Sequence, residues 1–216
     1  MTLTKYEHSC VVLEKDGTCL VIDPGELSDS FKIPQNCVGV IVTHEHFDHL
    51  DEAKITQILE QNPDAKLYAN QSIVNALQSV SDDRVGVVTV GDELNLAGFK
   101  AQFVEGTHVQ VRPEIEACVN TGVIIDELFY QPGDAHFVPK VPVVWLGVPL
   151  NAPWSKVSET NEFIKAVKPK HVIPIHDGLL NEWGLKTYQA HVIAACEMIG
   201  ATYHDLKPGQ QIELQG

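Results

Sequence analysis

Metal-binding chemistry is the first function that this sequence suggests. Residues 43–49 read THEHFDH and place three imidazoles and an aspartate within six positions. They follow the short, β-branched apolar run 38–42, which predicts a buried strand. A polar loop directly after a strand gathers nitrogen and oxygen donors, which are the usual ligands of zinc, iron and manganese. The spacing differs from the helical HExxH pattern of zinc proteases. A polar surface loop that happens to hold three histidines is the alternative.

The motif resembles the His-x-His-x-Asp-His loop of the metallo-β-lactamase superfamily. In that family a distant His, a bridging Asp and a final His complete the site, each at a strand end. His108, Asp134 and His176 follow here in that order, each after an apolar stretch that predicts a strand. The complete set is far more specific than any one of its members. The resemblance implies an α+β fold, an αββα four-layer sandwich, formed by residues 1–216 as a single domain.

The resemblance also implies a ligand set. One metal ion would be held by His44, His46 and His108, a second by Asp48, His49 and His176, and Asp134 would bridge them. The expected cofactors are two divalent metal ions, zinc in the first place and manganese or iron as alternatives, because this set contains no thiolate. Two such ions about 3.5–4 Å apart can share a hydroxide and bring its pKa toward neutrality. Asp48 would then also orient that nucleophile.

These expectations predict a metal-dependent hydrolase that acts on a small ester-like substrate, namely a lactone, a phosphodiester or a thioester. The second ligand set lacks the cysteine of many true β-lactamases, which makes antibiotic hydrolysis a poor fit. His46 stands where flavodiiron relatives carry glutamate, which disfavours an oxygen or nitric oxide reductase. Two alternatives are a non-catalytic metal-binding module of the same fold and a di-iron redox protein. The substrate is not predicted, since loops around the site set specificity.

His8 is a further catalytic candidate beside Asp48. Its setting, YEHSC at residues 6–10, resembles the superfamily branch that includes ascorbate-6-phosphate lactonase. In that branch this segment approaches the site, so His8 could donate a proton to the leaving group or bind a substrate anion. A strand-end histidine with a structural role is the alternative.

Other residues carry weaker signals. His136 is a second candidate for lining the cleft, and Asp23 could either orient a ligand histidine or form a turn. The tryptophans at positions 145, 154 and 183 are expected in the core or at the rim of the site.

Composition and charge limit the possible partners. The chain of 216 residues has a formal net charge of -14, which argues against nucleic-acid binding through phosphate neutralisation. Five dispersed cysteines favour a reducing compartment. No apolar run reaches the ~18–20 residues of a membrane span, and the N-terminus lacks the apolar core of a signal peptide. We expect a cytoplasmic protein with a small-molecule substrate and no nucleic-acid or membrane partner, whereas the oligomeric state is not predicted.

Periodicity and turn residues predict the helices and one unusual strand. Helices are expected over residues 52–62, 71–79, 155–167 and 188–199, the third with Ser158 near its start. A strand over 141–148 contains Pro142, which places it at a sheet edge or puts the proline at the start of the strand. Strands that run into His44 and His176 lie in opposite halves of the chain. This favours two sheets that meet at the site.

Overall fold

Two seven-stranded sheets form the centre of the protein. The computed structural model describes residues 1–216, with the side chain of Glu105 excepted. The first sheet, in the spatial order β14-β1-β2-β3-β4-β5-β6, contains β1 (Thr2–Lys5), β2 (Val11–Lys15), β3 (Thr18–Ile22), β4 (Cys37–Val42), β5 (Lys66–Ala69), β6 (Val85–Val87) and β14 (Gln211–Glu213). The second, in the order β13-β12-β11-β10-β9-β8-β7, contains β7 (Glu93–Leu96), β8 (Phe99–Thr107), β9 (Val119–Ile125), β10 (Phe129–Gln131), β11 (Trp145–Pro149), β12 (His171–Ile175) and β13 (Thr202–Tyr203).

Helices cover the outer face of each sheet. They are α1 (Glu52–Gln61), α2 (Gln71–Ala76), α3 (Val157–Val167) and α4 (Glu182–Ile199). Apolar residues of α1 and α2, such as Ile55 and Ile73, pack on the first sheet, while α3 and α4 pack on the second. Leu13 of the first sheet and Phe103 of the second belong to a shared core between the sheets. The predicted α+β class and the αββα sandwich are therefore confirmed. None of the four described helices has the length and apolarity needed to cross a bilayer.

Parallel strands direct polar residues to one edge of the sandwich. Strands β3 to β6 are mutually parallel, as are β10 to β13, and parallel strands end on the same side of a sheet. Asp23 directly follows β3, Thr43 directly follows β4, and His176 directly follows β12. Thr121 N–H in β9 donates to Thr43 O at 2.8 Å, which joins the two sheets at this edge.

The helix boundaries differ from the sequence prediction by two or more residues in three places. Helix α4 begins at Glu182 rather than at 188, because its first turn is largely exposed, as the 78% exposure of Trp183 shows, and only Leu185 of that turn packs on the core. Helix α3 begins at Val157, and Ser158 lies inside it; its N-cap is Lys156, whose N–H donates to Glu159 Oε2 at 2.9 Å. Helix α2 ends at Ala76, three residues early.

The strand that contains Pro142 was also predicted too long. Strand β11 begins at Trp145 and lies between β10 and β12 in the interior of the sheet, so the expected edge position is wrong. Pro142 precedes the strand, where its missing N–H removes no ladder hydrogen bond.

Candidate metal centre

Two groups of polar side chains lie side by side at the edge where the sheets meet. The His46 group consists of His44, His46, His108 and Asp134, and the His8 group consists of His8, Asp48, His49 and His176. Within each group the candidate ligand atoms lie within 4.8 Å of one another. The structure thus brings together all seven residues of the predicted ligand set and adds His8. His136 lies outside both groups, stacked on Phe163 with ring centroids 5.2 Å apart.

The 43–49 loop is held by the turn that follows β3. Asp23 accepts a hydrogen bond from Thr43 N–H at 2.8 Å, and Glu26 N–H donates to Phe47 O at 2.8 Å. Gly25 lies so close to the loop that a Cβ atom there would be 2.0 Å from the carbonyl oxygen of Asp48. Only glycine fits this approach, so the turn sets the position of the loop.

Hydrogen bonds to carbonyl oxygens fix the tautomers of two histidines. His108 Nδ1 lies 2.6 Å from Val109 O, and His176 Nδ1 lies 2.6 Å from Asn151 O. A carbonyl oxygen only accepts, so each ring carries its proton on Nδ1. The Nε2 atom of each ring therefore faces the site, where it can give its lone pair to a metal ion that replaces a proton.

Asp23 fixes two more histidines in the same tautomer. His49 Nδ1 donates to Asp23 Oδ2 at 2.9 Å. The Thr43 hydroxyl donates to the same oxygen at 3.0 Å and so accepts from His44 Nδ1, 3.1 Å away. Of the two roles considered for Asp23, its contacts support the orientation of histidines. Asp23 is fully buried, and its backbone has a φ of 50°.

The inward-facing nitrogens have the chemistry of a cation site. In the described part of the chain, the buried Nε2 atoms of His44, His108 and His176 have no hydrogen-bond partner. They surround Asp134 Oδ2 at distances of 3.9, 3.3 and 3.0 Å, respectively. Buried acceptors without partners are costly, and native structures leave few of them. Lone pairs that converge on a buried carboxylate fit a divalent metal ion, which would satisfy all of them.

The pKa shifts of the site also indicate that its carboxylates attract positive charge. Burial alone would raise the pKa of Asp134, but the imidazoles of His49 and His176 hold it well below its usual value. Burial would lower the pKa of His176, yet the carboxylates of Asp134 and Asp48 outweigh it and raise that pKa to about 9. Protons on the imidazoles thus balance the carboxylates when no metal ion does so.

His8 has the opposite tautomer to these ligand candidates. Gly178 N–H donates to His8 Nδ1 at 3.2 Å, so Nδ1 is an acceptor and the ring proton lies on Nε2. That nitrogen lies 3.0 Å from Asp48 Oδ2 and donates to it. Burial lowers the pKa of His8, which keeps the ring neutral. His8 therefore offers Asp48 a hydrogen bond and has no lone pair free for a metal ion.

Three residues near the site make contacts that the sequence did not predict. Trp154 Nε1–H donates to Asp134 Oδ2 at 2.7 Å. Asn120 accepts from Asp134 N–H at 3.0 Å and donates to Pro132 O at 2.8 Å, which fixes the turn before Asp134. Cys118 Sγ lies 3.9 Å from His46 Nε2. Of the three, only Asn120 could have been noticed in the sequence, because it is a polar residue beside the apolar strand segment 122–125.

Comparisons with known proteins agree with this architecture. The sequence profile of the Beta-lactamase superfamily domain matches residues 2–176. Protein Rv0786c of Mycobacterium tuberculosis is 36% identical over 185 residues, which cover 83% of this chain and 85% of that protein. A UPF0173 metal-dependent hydrolase of Sulfurisphaera tokodaii is 24% identical over 227 residues and covers 96% of both chains. Among solved structures, Igni18, a metallo hydrolase from the archaeon Ignicoccus hospitalis, superimposes with a TM-score of 0.75 at 21% identity and covers 99% of both chains. The chain therefore belongs to the Beta-lactamase superfamily domain family and has the metallo-β-lactamase fold.

Proposed function

We propose that this protein is a metal-dependent hydrolase that uses two divalent ions, zinc in the first place, to cleave a small ester-like substrate. The observation that carries this proposal is the set of inward-facing, unpaired Nε2 atoms around Asp134. Family membership supports it, and so do the related proteins that are described as metal-dependent or metallo hydrolases.

The residues divide between two ions with one shared carboxylate. His44, His46 and His108 would hold the first ion, and Asp48, His49 and His176 the second. Asp134 would serve both, since Oδ2 lies 3.3 Å from His108 Nε2 of the first set and Oδ1 lies 3.0 Å from His49 Nε2 of the second. When bound, such ions acidify a water molecule to supply a nucleophile near neutral pH and polarise the oxygen of the bond under attack.

Asp48 would orient the attacking water, and His8 would hold Asp48 in position. Burial raises the pKa of Asp48, but the nearby imidazoles of His176 and His8 lower it well below its usual value, so Asp48 is a carboxylate. It is half-buried and can accept a hydrogen bond from water in the cleft. Because the Nε2 proton of His8 is already directed at Asp48, we assign His8 the role of a positioning residue that acts through Asp48.

The mouth of the site favours substrates with an apolar part. Phe47, between two candidate ligands, is 56% exposed, and Leu179, next to the glycine that contacts His8, is 60% exposed. Exposed apolar side chains beside a polar cleft commonly mark ligand contacts. Lactones and thioesters with an alkyl group therefore fit this mouth better than a compact, doubly polar phosphodiester.

A substrate screen on the metal-loaded protein tests the proposal. Metal content is measured after gentle purification, and hydrolysis is then assayed with lactones, thioesters and phosphodiesters that carry matched alkyl groups. We expect metal-dependent turnover of at least one carbonyl class, with loss of turnover in Asp48→Asn. Binding of metal without turnover of any class would instead identify a non-catalytic module. Bound iron with visible absorption and redox activity would identify a di-iron redox protein.

A further inference from the structure

Trp154 occupies a tight turn beside the candidate metal centre. The turn covers residues 152–155 after β11, with Ser155 N–H donating to Ala152 O at 3.3 Å and a bridge between the same two residues. Pro153 stands at the second position of the turn, where its fixed φ is favourable. The backbone that carries the indole is therefore held in one conformation.

The indole contacts the shared carboxylate and one histidine of each group. Trp154 is only 7% exposed, and its Nε1–H donates to Asp134 Oδ2 at 2.7 Å. Its ring lies edge-on to His108 and His176, with centroids 5.9 and 6.0 Å apart. No other tryptophan of the chain has a hydrogen bond to a residue of either group among the described contacts.

An indole N–H can donate but has no lone pair to bind a metal ion. A hydrogen bond to an ionised carboxylate is stronger than one between neutral groups. The bond from Trp154 therefore limits rotation of the Asp134 carboxylate, which must present one oxygen to each side. The same short segment also orients His176, whose Nδ1 donates to Asn151 O.

We propose that Trp154 is a positioning residue that fixes the shared carboxylate of Asp134 between the two ions. This inference rests on the proposed function, because it concerns the same pair of ions. Its consequence is that the N–H group, rather than the bulk of the ring, controls metal affinity.

Cobalt(II) titration of the metal-free protein tests this role. Trp154→Phe keeps an aromatic ring in the turn and removes the N–H donor together with the five-membered ring that carries it. We expect at least one cobalt ion to bind ~10–100-fold more weakly, the usual effect of losing a group that orients a ligand, with a changed visible absorption band. Trp183→Phe, on the exposed start of α4, is the matched control and should titrate like the wild type.

A second measurement on the wild-type protein avoids dependence on folding of the variant. The indole N–H signal of Trp154 in a nitrogen-proton correlation spectrum should exchange slowly with water and shift when zinc is added. Signals of Trp145 and Trp183, assigned by substitution, should stay in place. A Trp154 signal that does not respond to zinc, or a folded Trp154→Phe variant with unchanged cobalt affinity and spectrum, would overturn this role alone. Absence of cobalt binding to the wild type would overturn the proposed function together with it.

Discussion

The His46 group and the His8 group differ in the residues that hydrogen-bond to their candidate ligands on the side away from the site. In the His46 group, His108 is backed by a backbone carbonyl and His44 by a hydroxyl group, both of them neutral. In the His8 group, His49 is backed by the carboxylate of Asp23, and Asp48 is itself a candidate ligand. Apart from the shared Asp134, the first group thus consists of imidazoles, whereas the second adds the carboxylate of Asp48 and is supported by that of Asp23. Imidazole suits zinc, whereas added carboxylate also suits manganese and iron, so the second position should tolerate more kinds of metal.

Removal of the shared carboxylate should have the largest effect, because Asp134 is the only candidate ligand assigned to both ions. We expect Asp134→Asn to lose both ions and all hydrolysis, as measured by elemental analysis and the substrate screen. Asp64→Asn, at an exposed position on the surface, is the matched control and should retain both. If Asp134→Asn kept two ions per chain, Asp134 would not be the residue that links the groups.

Substitution of Asp48 should separate the groups. Asp48→Asn removes a charge from the His8 group alone, so one ion per chain should remain in the His46 group. Hydrolysis should still be abolished, because the remaining amide neither holds the second ion nor orients the water. The residue lies in a loop, so circular dichroism should show an intact fold. Unchanged turnover in a variant that holds both metals would refute the role of Asp48.

Substitution of His8 should affect catalysis more than substitution of His136, although both side chains are largely buried. We expect His8→Ala to lower kcat by ~10–100-fold, the usual effect of losing a group that orients a ligand, while leaving the metal content of the His46 group unchanged. His136→Ala, which loses its stacking on Phe163, should lower the melting temperature with kcat preserved. The two variants are compared by kcat and melting temperature. Normal kcat with a lowered melting temperature in His8→Ala would leave His8 with a structural role only.

Substitution of Asp23 should have the smallest effect on activity. Its effect on metal affinity should be the most selective. In Asp23→Asn the amide can turn its N–H toward His49 Nδ1, which favours the tautomer with the proton on Nε2. We expect the ion of the His8 group to bind ~10–100-fold more weakly, whereas the other ion is weakened less, because only the Thr43 hydroxyl connects Asp23 to His44. Isothermal titration measures both affinities, with the exposed Asp29→Asn as control. Equal weakening of both ions would show that Asp23 acts on the whole edge rather than on His49.

Local patterns in the sequence predicted the strands and the polar residues at their ends, whereas the resemblance to the metallo-β-lactamase superfamily supplied the αββα sandwich and the ligand set. Short β-branched runs mark buried strands, and each predicted ligand directly follows such a run or lies within a few residues of its end. The apolar run 38–42 therefore correctly predicted that the 43–49 loop follows the end of a strand, which is β4.

The sequence could not predict contacts that depend on the packing of distant segments. The bond from Trp154 to Asp134 joins residues 20 positions apart in two different loops, and tryptophan alone gives no sign of such a partner. The tautomer of His8 depends on Gly178 N–H, 170 positions away. The start of α4 was missed for a different reason, since an exposed first turn carries no apolar pattern.

Anomalous diffraction from crystals of the zinc-loaded protein tests the central claim most directly. The account predicts two zinc peaks per chain, one in each group, with Asp134 beside both. It also predicts that His8 Nε2 lies beyond the ~2.0–2.1 Å of a zinc–nitrogen bond while remaining within hydrogen-bond distance of Asp48. A single peak, or a peak bound directly by His8, would contradict the account.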